Sequence, residues 1–203
     1  MSVRAVHTHL SKSRYLKGLK CLKRLYLDAY RPDLRTKAGG IQQSLLKMGT
    51  RVGEVARQRF AGGRLVHEKF WEHKAAVETT KELIKDATVP AIFEAAFTYK
   101  NVRARVDILV KDEQQKDAFQ LIEVKSSTKP KPFHFTHDLA LQLYVLQGVG
   151  LNITNAYILT VNKKYKYEGG EHNLEELFKL HEMDAKAIMD GRPKLERKVH
   201  EMN

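Results

Sequence analysis

Two acidic residues that interrupt apolar segments constrain the fold of this sequence more than any other feature. Asp107 lies within VRARVDILV at 102–110, and Glu123 lies within AFQLIEVK at 118–125. A carboxylate in a buried strand is costly unless it is paired or bound to a cation. Two carboxylates on neighbouring strands also repel each other unless a positive charge lies between them. The sequence therefore predicts adjacent strands whose two acids share a cation.

The order of the apolar periodicities predicts an α/β fold with a mixed sheet flanked by helices. Strands are predicted at 89–98, 102–110 and 118–125, and together they suggest an antiparallel meander. A further strand is predicted at 153–161, with helices at 11–30, 41–60, 72–86, 135–148 and 173–189. We expect one domain over residues 1–203, made of a basic helical segment at 1–70, a sheet core at 89–161 and a C-terminal helix and tail at 173–203.

Helical spacing also predicts which faces of three helices point inward. In the first helix the inward positions are Leu16, Leu19, Leu22 and Tyr26. In the second they are Leu45, Met48, Val52, Val55 and Ala56. In the C-terminal helix they are Leu174, Leu177, Phe178 and His181.

The positive charge of the chain is concentrated in its first third. The sequence has 36 Lys and Arg against 24 Asp and Glu, a net charge of +12. Residues 1–70 hold 16 of these basic residues and only four acids, so the remainder of the chain is neutral. This asymmetry indicates an element that faces a polyanion, although a solvated basic surface is the alternative. The expected contacts to nucleic-acid phosphates are Lys17, Lys20, Arg24 and Arg51.

Several classes of protein are disfavoured by the sequence. No segment approaches about 18 uncharged apolar residues, so no membrane span is predicted. The N-terminal residues lack the apolar run of a secretion signal. A single cysteine excludes an internal disulfide framework and is typical of a reducing cytoplasm, where we expect the protein to act.

The spacing Glu123-Val124-Lys125 indicates a reaction centre. Side chains two residues apart in a strand lie on one face, so a carboxylate and an ammonium would point together. Mg²⁺ takes carboxylate and carbonyl oxygens, which suggests Asp107, Glu123 and the Val124 carbonyl as ligands. Such a cation polarises a phosphodiester, while Lys125 orients water or stabilises developing charge. The alternative is an ordinary surface pair of Glu123 with Lys125.

These residues carry a resemblance to a known superfamily. The run RVDILV…LIEVKSST resembles the core of the PD-(D/E)XK nucleases, with Asp107 as the motif aspartate. The helix DLALQLYVL at 138–146 resembles the helix of the RecB-like branch, in which a Gln and a Tyr accompany the catalytic residues. LSKSRYLKGLKCLKRLYLDAYRPDL and MGTRVGEVARQRFAGG resemble RecB-like domains related to the CRISPR-associated exonucleases.

The resemblance covers roughly residues 10–180 and carries definite implications. It implies a restriction-endonuclease-like mixed sheet flanked by helices. It also implies one or two Mg²⁺ or Mn²⁺ ions at Asp107 and Glu123, catalysis by Lys125, and DNA as substrate. Exonuclease or endonuclease mode, DNA or RNA, and a role in DNA repair or phage defence are left open.

The sequence departs from this family at several positions. Many relatives hold an iron–sulfur cluster with four cysteines, whereas this chain has only Cys21, so we expect no cluster and a core role for Cys21. Gly53 stands where relatives often have a metal-ligand His, and Glu54 either substitutes for it or that ligand is missing. Glu94 resembles an acidic family position that reaches the metal or orients Lys125, and the alternative is a satisfied strand acid.

Gln142 and Tyr144 match the two residue types of the RecB-like helix, but they are only two positions apart. Such positions lie about 200° apart around a helix, so both cannot face one site. Gln142 is the better candidate for contact with substrate or Lys125, and Tyr144 is either a DNA contact or a core residue.

Two classes of function follow. The first is a metal-dependent nuclease. The second is a non-catalytic nucleic-acid-binding module or an accessory subunit of a larger DNA-processing complex. A homo-oligomer and a helicase–nuclease partner are compatible with either class.

Overall fold

The structure is a computed structural model that describes residues 9–36, 39–128 and 132–203. Within these residues the strands are β1 (Leu10–Ser11), β2 (Arg64–Leu65), β3 (Ala91–Tyr99), β4 (Val102–Lys111), β5 (Ala118–Lys125), β6 (Asn152–Val161) and β7 (Phe178–Met183). The α-helices are α1 (Lys12–Lys20), α2 (Leu22–Tyr30), α3 (Gly40–Arg57), α4 (His73–Lys85), α5 (Pro132–Gly148), α6 (Leu174–Leu177), α7 (Ala185–Asp190) and α8 (Arg192–Met202). Residues 1–8 and 37–38 of the predicted basic segment, and 129–131 of the predicted sheet core, lie outside the described residues.

All the strands belong to one mixed sheet, which confirms the predicted fold class. Its order is β2-β3-β4-β5-β6-β7, and β3, β4 and β5 form the predicted antiparallel meander. Helix α5 connects β5 to β6, which run parallel, and β7 pairs antiparallel with the outer edge of β6. The short β1 lies parallel to the start of β4, beside Val102 and Arg103.

Apolar side chains form a cluster on each face of the sheet. The larger cluster joins the sheet to α1, α4, α5 and α8, through residues such as Tyr15, Ala76, Leu139 and Val199. The smaller cluster lies under α3 and α6, around Ala56 and Phe178. Helix α5 is buried along most of its length because it fills the space between the sheet and the C-terminal helices. This arrangement accounts for the apolar sequence of α5.

The predicted helix at 11–30 is two helices. Cys21 has an extended backbone, with φ −165° and ψ 113°, and it separates α1 from α2. The side chain of Cys21 is exposed, so its predicted core role is wrong. The break reorients α2 so that Leu25 points inward, while Leu22 and Tyr26 are 50% and 55% exposed, contrary to the prediction.

The predicted C-terminal helix at 173–189 is also wrong. Only Leu174–Leu177 is helical at its start, and the next six residues form β7. The edge of β6 offers unpaired backbone groups, and pairing with β7 satisfies them, which outweighs the helical pattern. The Asp184 side chain then accepts a 2.8 Å hydrogen bond from the Ala187 N–H and caps α7.

Helix α3 packs on the sheet through its second half alone. Val52 and Val55 pack on the smaller cluster, as predicted, whereas Leu45 and Met48 are exposed, contrary to the prediction. The first half of α3 extends beyond the sheet, and Ile41 there is 83% exposed. In the part of the chain that the structure describes, no helix combines the length and apolarity needed to cross a membrane.

Candidate functional site

A cleft of about 320 Å³ opens where α3 crosses β3, β4 and β5. Helix α3 contributes Gly49, Thr50, Gly53 and Arg57 to the cleft wall. The strands contribute Glu94 from β3, Asp107 from β4, and Glu123, Val124 and Lys125 from β5. The fold therefore brings the predicted acids and the predicted lysine to one cavity.

Asp107 lies where β4 and β5 stop pairing. Their ladder of paired residues ends at Ile108 and Ile122, so the strands separate beyond it. The carboxylate of Asp107 bridges the gap by accepting a 2.8 Å hydrogen bond from the Val124 N–H. This contact holds Asp107 beside Glu123. For Val124 the structure gives a contact through its N–H, whereas the sequence suggested its carbonyl.

Glu123 and Lys125 point to the same face of β5, as the period of two predicts. Glu123 is almost fully buried, and the Lys125 Nζ lies 2.5 Å from its Oε1. The same Nζ lies 2.5 Å from Oδ2 of Asp138, in the second turn of α5. Lys125 is thus held between two carboxylates at the cleft wall.

A second lysine, which the sequence did not single out, completes this cluster. The Nζ of Lys12 lies 2.8 and 3.0 Å from the two carboxylate oxygens of Glu123, and 3.3 Å from Asp138 Oδ1. Pairing of β1 with β4 delivers Lys12 to this position, because it follows Ser11 directly. Nothing in the local sequence distinguishes Lys12 from the other basic residues of the first third of the chain.

Helix α5 contributes two residues one turn apart. The Gln142 Nε2 donates to Glu123 Oε2 at 2.8 Å and to Asp138 Oδ1 at 3.1 Å. Asp138 was not predicted as a site residue, although its spacing of four from Gln142 is a readable signal. Among the residues that the structure describes, the buried Oε1 of Gln142 has no hydrogen-bond partner.

Glu94 adopts a backbone conformation that is rare for a residue with a side chain. Its φ is +57°, in the middle of β3, and it lies in the register between the pairs Phe93–Ile108 and Ala95–Val106, opposite Asp107. A left-handed backbone costs a residue with a side chain about 1–2 kcal/mol of conformational free energy. Residues strained in this way are concentrated at functional sites. The Glu94 carboxylate accepts a 3.0 Å hydrogen bond from Arg57, and its Oε2 lies 3.9 Å from Arg105 Nε.

The buried charges shift one another's pKa values. Burial, and then the neighbouring Glu123, raises the pKa of Asp107 to about 7. Burial would also raise the pKa of Glu123, but the two lysines Lys12 and Lys125 outweigh it and lower that pKa. Burial opposes the charge of Lys125, but Glu123 and Asp138 prevail and raise the pKa of its ammonium. Lys125 is therefore a cation at neutral pH and not a general base.

Two carboxylates at the cleft, those of Asp107 and Glu123, are the candidate ligands of a hard divalent cation. Across residues 9–36, 39–128 and 132–203, no group of three or more His, Cys, Asp or Glu side chains is arranged to hold a metal. Asp107 and Glu123 supply two carboxylates, and burial, followed by the charge of Glu123, raises the pKa of Asp107. Mg²⁺ is commonly held by one or two carboxylates, with waters and substrate phosphate as further ligands.

The remaining predicted residues do not join the cluster. Glu54 is exposed and is not one of the described residues that line the cleft, so the structure gives no support to its role as a ligand. Gly53 does line the cleft, and a Cβ added there meets no atom within 4 Å. Tyr144 is 3% exposed and packs edge-on against Tyr99 at 5.2 Å, which corrects the prediction of a DNA contact and favours its core alternative.

The predicted phosphate-binding residues divide into two groups. Lys20, Arg24 and Arg51 are exposed, which is compatible with contact to an extended anion. Lys17 instead lies 2.6 Å from the buried carboxylate of Asp28. We therefore assign Lys17 a structural role, since its removal would leave Asp28 with fewer partners.

Comparisons with known proteins give little further information. No family model and no curated protein matches the chain. A solved structure described as "Crystal structure of SSO0001" aligns over 90% of this chain and 80% of its own, with 11% identity and a TM-score of 0.29. A likeness at this level carries no argument about fold or function.

Proposed function

We propose that this protein is a metal-dependent nuclease of the RecB-like PD-(D/E)XK class, which hydrolyses phosphodiester bonds in DNA. The observation that carries the proposal is the convergence of Asp107, Glu123 and Lys125 at one cleft. The residues that would hold a Mg²⁺ or Mn²⁺ ion are Asp107, Glu123 and Val124, the last through its carbonyl. The proposal includes no iron–sulfur cluster, since the chain holds one cysteine. A single cysteine also suits action in the cytoplasm.

The charge of each residue determines its role in this proposal. A bound divalent cation supplies the Lewis acid that polarises the scissile phosphate. Lys125, kept protonated by Glu123 and Asp138, stabilises the negative charge that develops on the phosphoryl oxygens. Gln142 holds the Glu123 carboxylate through its 2.8 Å hydrogen bond and is a positioning residue. Glu94 holds Arg57 at the cleft wall, where the guanidinium can meet a phosphate.

A cleavage assay with Lys125→Ala tests the proposal. Purified protein is incubated with single- and double-stranded DNA in Mg²⁺, Mn²⁺ or EDTA. We expect cleavage by the wild type with either metal and none in EDTA. Lys125→Ala should reduce the rate by at least a hundredfold, because the charge on the transition state loses its partner, while DNA binding persists.

Lys116→Ala is the matched control for this experiment. Lys116 is an exposed lysine in the turn that joins β4 to β5, at the opposite end of β5 from Lys125. Its removal should leave the rate unchanged. Equal rates for Lys125→Ala and the wild type in Mg²⁺ would refute the assignment of Lys125.

One observation favours a second candidate, a nucleic-acid-binding module without catalysis. Glu123 already has two ammonium partners, Lys12 and Lys125, so its charge is balanced without a metal ion. In that case the cluster is a structural ion-pair network. DNA binding that is equal in EDTA, Mg²⁺ and Mn²⁺, with no product formed in any of them, would support this candidate over the nuclease.

A further inference from the structure

Two adjacent aromatic residues are exposed outside the set of residues that line the cleft. Phe70 and Trp71 lie in the turn between β2 and α4, and they are 74% and 67% exposed. Their ring centroids are 4.8 Å apart and the rings are inclined at 82° to each other. Each ring therefore leaves most of its surface to solvent, where a planar group can stack on it.

The segment that leads to this aromatic pair is fastened to the wall of the cleft. The Arg105 Nη1 donates a 2.8 Å hydrogen bond to the Glu68 carbonyl, and its Nε donates at 3.4 Å to the Glu94 carbonyl. One guanidinium thus joins the aromatic segment to the residue that lies opposite Asp107. Trp71 follows Glu68 by three residues, so their Cα atoms are at most about 11 Å apart.

The charges around the aromatic pair favour an anionic ligand. Lys69 and Lys74 flank it in sequence, and both are exposed. Glu68 and Glu72 are anionic, but Arg103 and Arg105 also act on this segment, where their charge helps to lower the pKa of His73, so four cations stand against two acids. Glu68 accepts a hydrogen bond from Thr79, and the Glu72 carboxylate accepts one from the Lys69 N–H at 2.9 Å.

We propose that Phe70 and Trp71 form a stacking platform for unpaired bases of single-stranded DNA, which enters the cleft past Glu94. Bases stack on exposed aromatic rings without sequence preference, and lysines beside the rings bind the connecting phosphates. A duplex keeps its base faces covered and cannot use such a platform. This inference rests on the proposed nuclease function and assigns Phe70 and Trp71 as the place where the strand is held.

Trp71 allows a direct test because it is the only tryptophan in the sequence. The intact protein is titrated with oligothymidylate in EDTA, where metal-dependent cleavage does not occur, and tryptophan fluorescence is followed. Stacking of a base on the indole should quench the emission to saturation. A duplex of the same length at the same salt concentration should give little quenching. Equal quenching by duplex and single strand would overturn the platform.

Substitutions give a second, independent readout through anisotropy of a labelled oligothymidylate. Trp71→Ala and Phe70→Ala should each weaken single-strand binding by roughly tenfold, and Trp71→Phe should retain most of it. Tyr167→Ala is the matched control, since Tyr167 is an aromatic residue of similar exposure in the loop between β6 and α6. Losses of the same size in Tyr167→Ala and Trp71→Ala, or no loss in either platform variant, would overturn the inference.

The results of these two binding experiments can be distinguished from the result of the cleavage assay. Quenching in EDTA without cleavage in Mg²⁺ would support the platform and refute the nuclease. Cleavage with unchanged kinetics in Trp71→Ala and Phe70→Ala would support the nuclease and refute the platform.

Discussion

At the scale of single residues, the charge balance of the buried cluster governs what the site can do. Three carboxylates, Asp107, Glu123 and Asp138, share two ammonium groups from Lys12 and Lys125. A fully ionised cluster would carry one excess negative charge, and this excess is consistent with the raised pKa of Asp107. In the proposed nuclease, a divalent cation would offset that excess.

A separate residue, His73, predicts how stability depends on pH. His73 is buried, lies 2.9 Å from the Thr98 hydroxyl, and its pKa is lowered to about 4 by burial and by Arg103. The unfolded chain therefore binds a proton near pH 6.5, whereas the folded protein does so only near pH 4. Stability from this residue is complete above pH 6.5 and is lost as the pH falls towards 4.

We expect His73→Gln to lose less stability than the wild type on acidification. The difference between the two proteins should change by about 2 kcal/mol between pH 7.5 and pH 5, in urea denaturation at both pH values. Asp107, whose raised pKa has the opposite effect, is common to both proteins and cancels in the comparison. A constant difference across this range would contradict the prediction.

At the scale of elements, helix α3 and the strand β3 determine the shape of the cleft. The left-handed Glu94 interrupts the ladder between β3 and β4 opposite Asp107, so that both carboxylates lie at the cleft. Helix α3 passes over them with the small residues Gly49 and Gly53 on its cleft side. These glycines leave space that a side chain in the helix would otherwise occupy.

Gly53→His tests whether this space can hold a further metal ligand. Neither helical geometry nor neighbouring atoms oppose the change, because the added Cβ meets nothing within 4 Å. Glycine costs a helix about 1 kcal/mol relative to Ala, so the variant should be at least as stable as the wild type. We expect Mn²⁺ affinity, measured by calorimetry, to rise by about tenfold.

Gly49→His is the matched control for that variant. Gly49 also lines the cleft and has the same open space, but it lies one turn earlier on α3. It should change Mn²⁺ affinity less than Gly53→His does. Identical affinities in the wild type and both variants would show that α3 is not close enough to the metal to contribute a ligand.

At the scale of the whole molecule, folding redistributes the +12 charge. Cations of the first third pair with acids of the neutral remainder, as in Lys12 with Glu123, Arg57 with Glu94, and Arg59 with Glu175. The excess positive charge of the first third is therefore partly offset by distant acids, while the net charge of the protein stays +12. The cations of the first third that face solvent include Lys20, Arg24 and Arg51.

The triple variant of Lys20, Arg24 and Arg51 to Glu should bind DNA more weakly and with less dependence on salt. Each lost phosphate contact reduces the slope of log affinity against log salt by about 0.9 on duplex DNA. We expect the slope to fall by up to about 3, measured by anisotropy in EDTA between 50 and 200 mM salt. Reversal of Lys81, Lys116 and Lys198 makes the same charge change elsewhere and should alter the slope less. Equal slopes for the two triple variants would show that the salt dependence comes from the surface charge in general and not from Lys20, Arg24 and Arg51.

The sequence by itself determined the features that depend on neighbouring residues. Alternation over two positions was sufficient to place Glu123 and Lys125 on one face, because the pleat of a strand fixes that geometry locally. The β3–β4–β5 meander followed in the same way, since its turns are short. The mixed α/β fold class was also predictable, because it follows from the order of local helix and strand patterns along the chain.

Only the tertiary structure decided the features that depend on distant segments. Lys12 reaches Glu123 across 111 positions of sequence, through the pairing of β1 with β4. Likewise β7 is a strand because the edge of β6 needs a partner, although its sequence resembles a helix. Local patterns report the preference of a segment, whereas burial and backbone pairing with remote segments contribute more free energy and determine the final conformation.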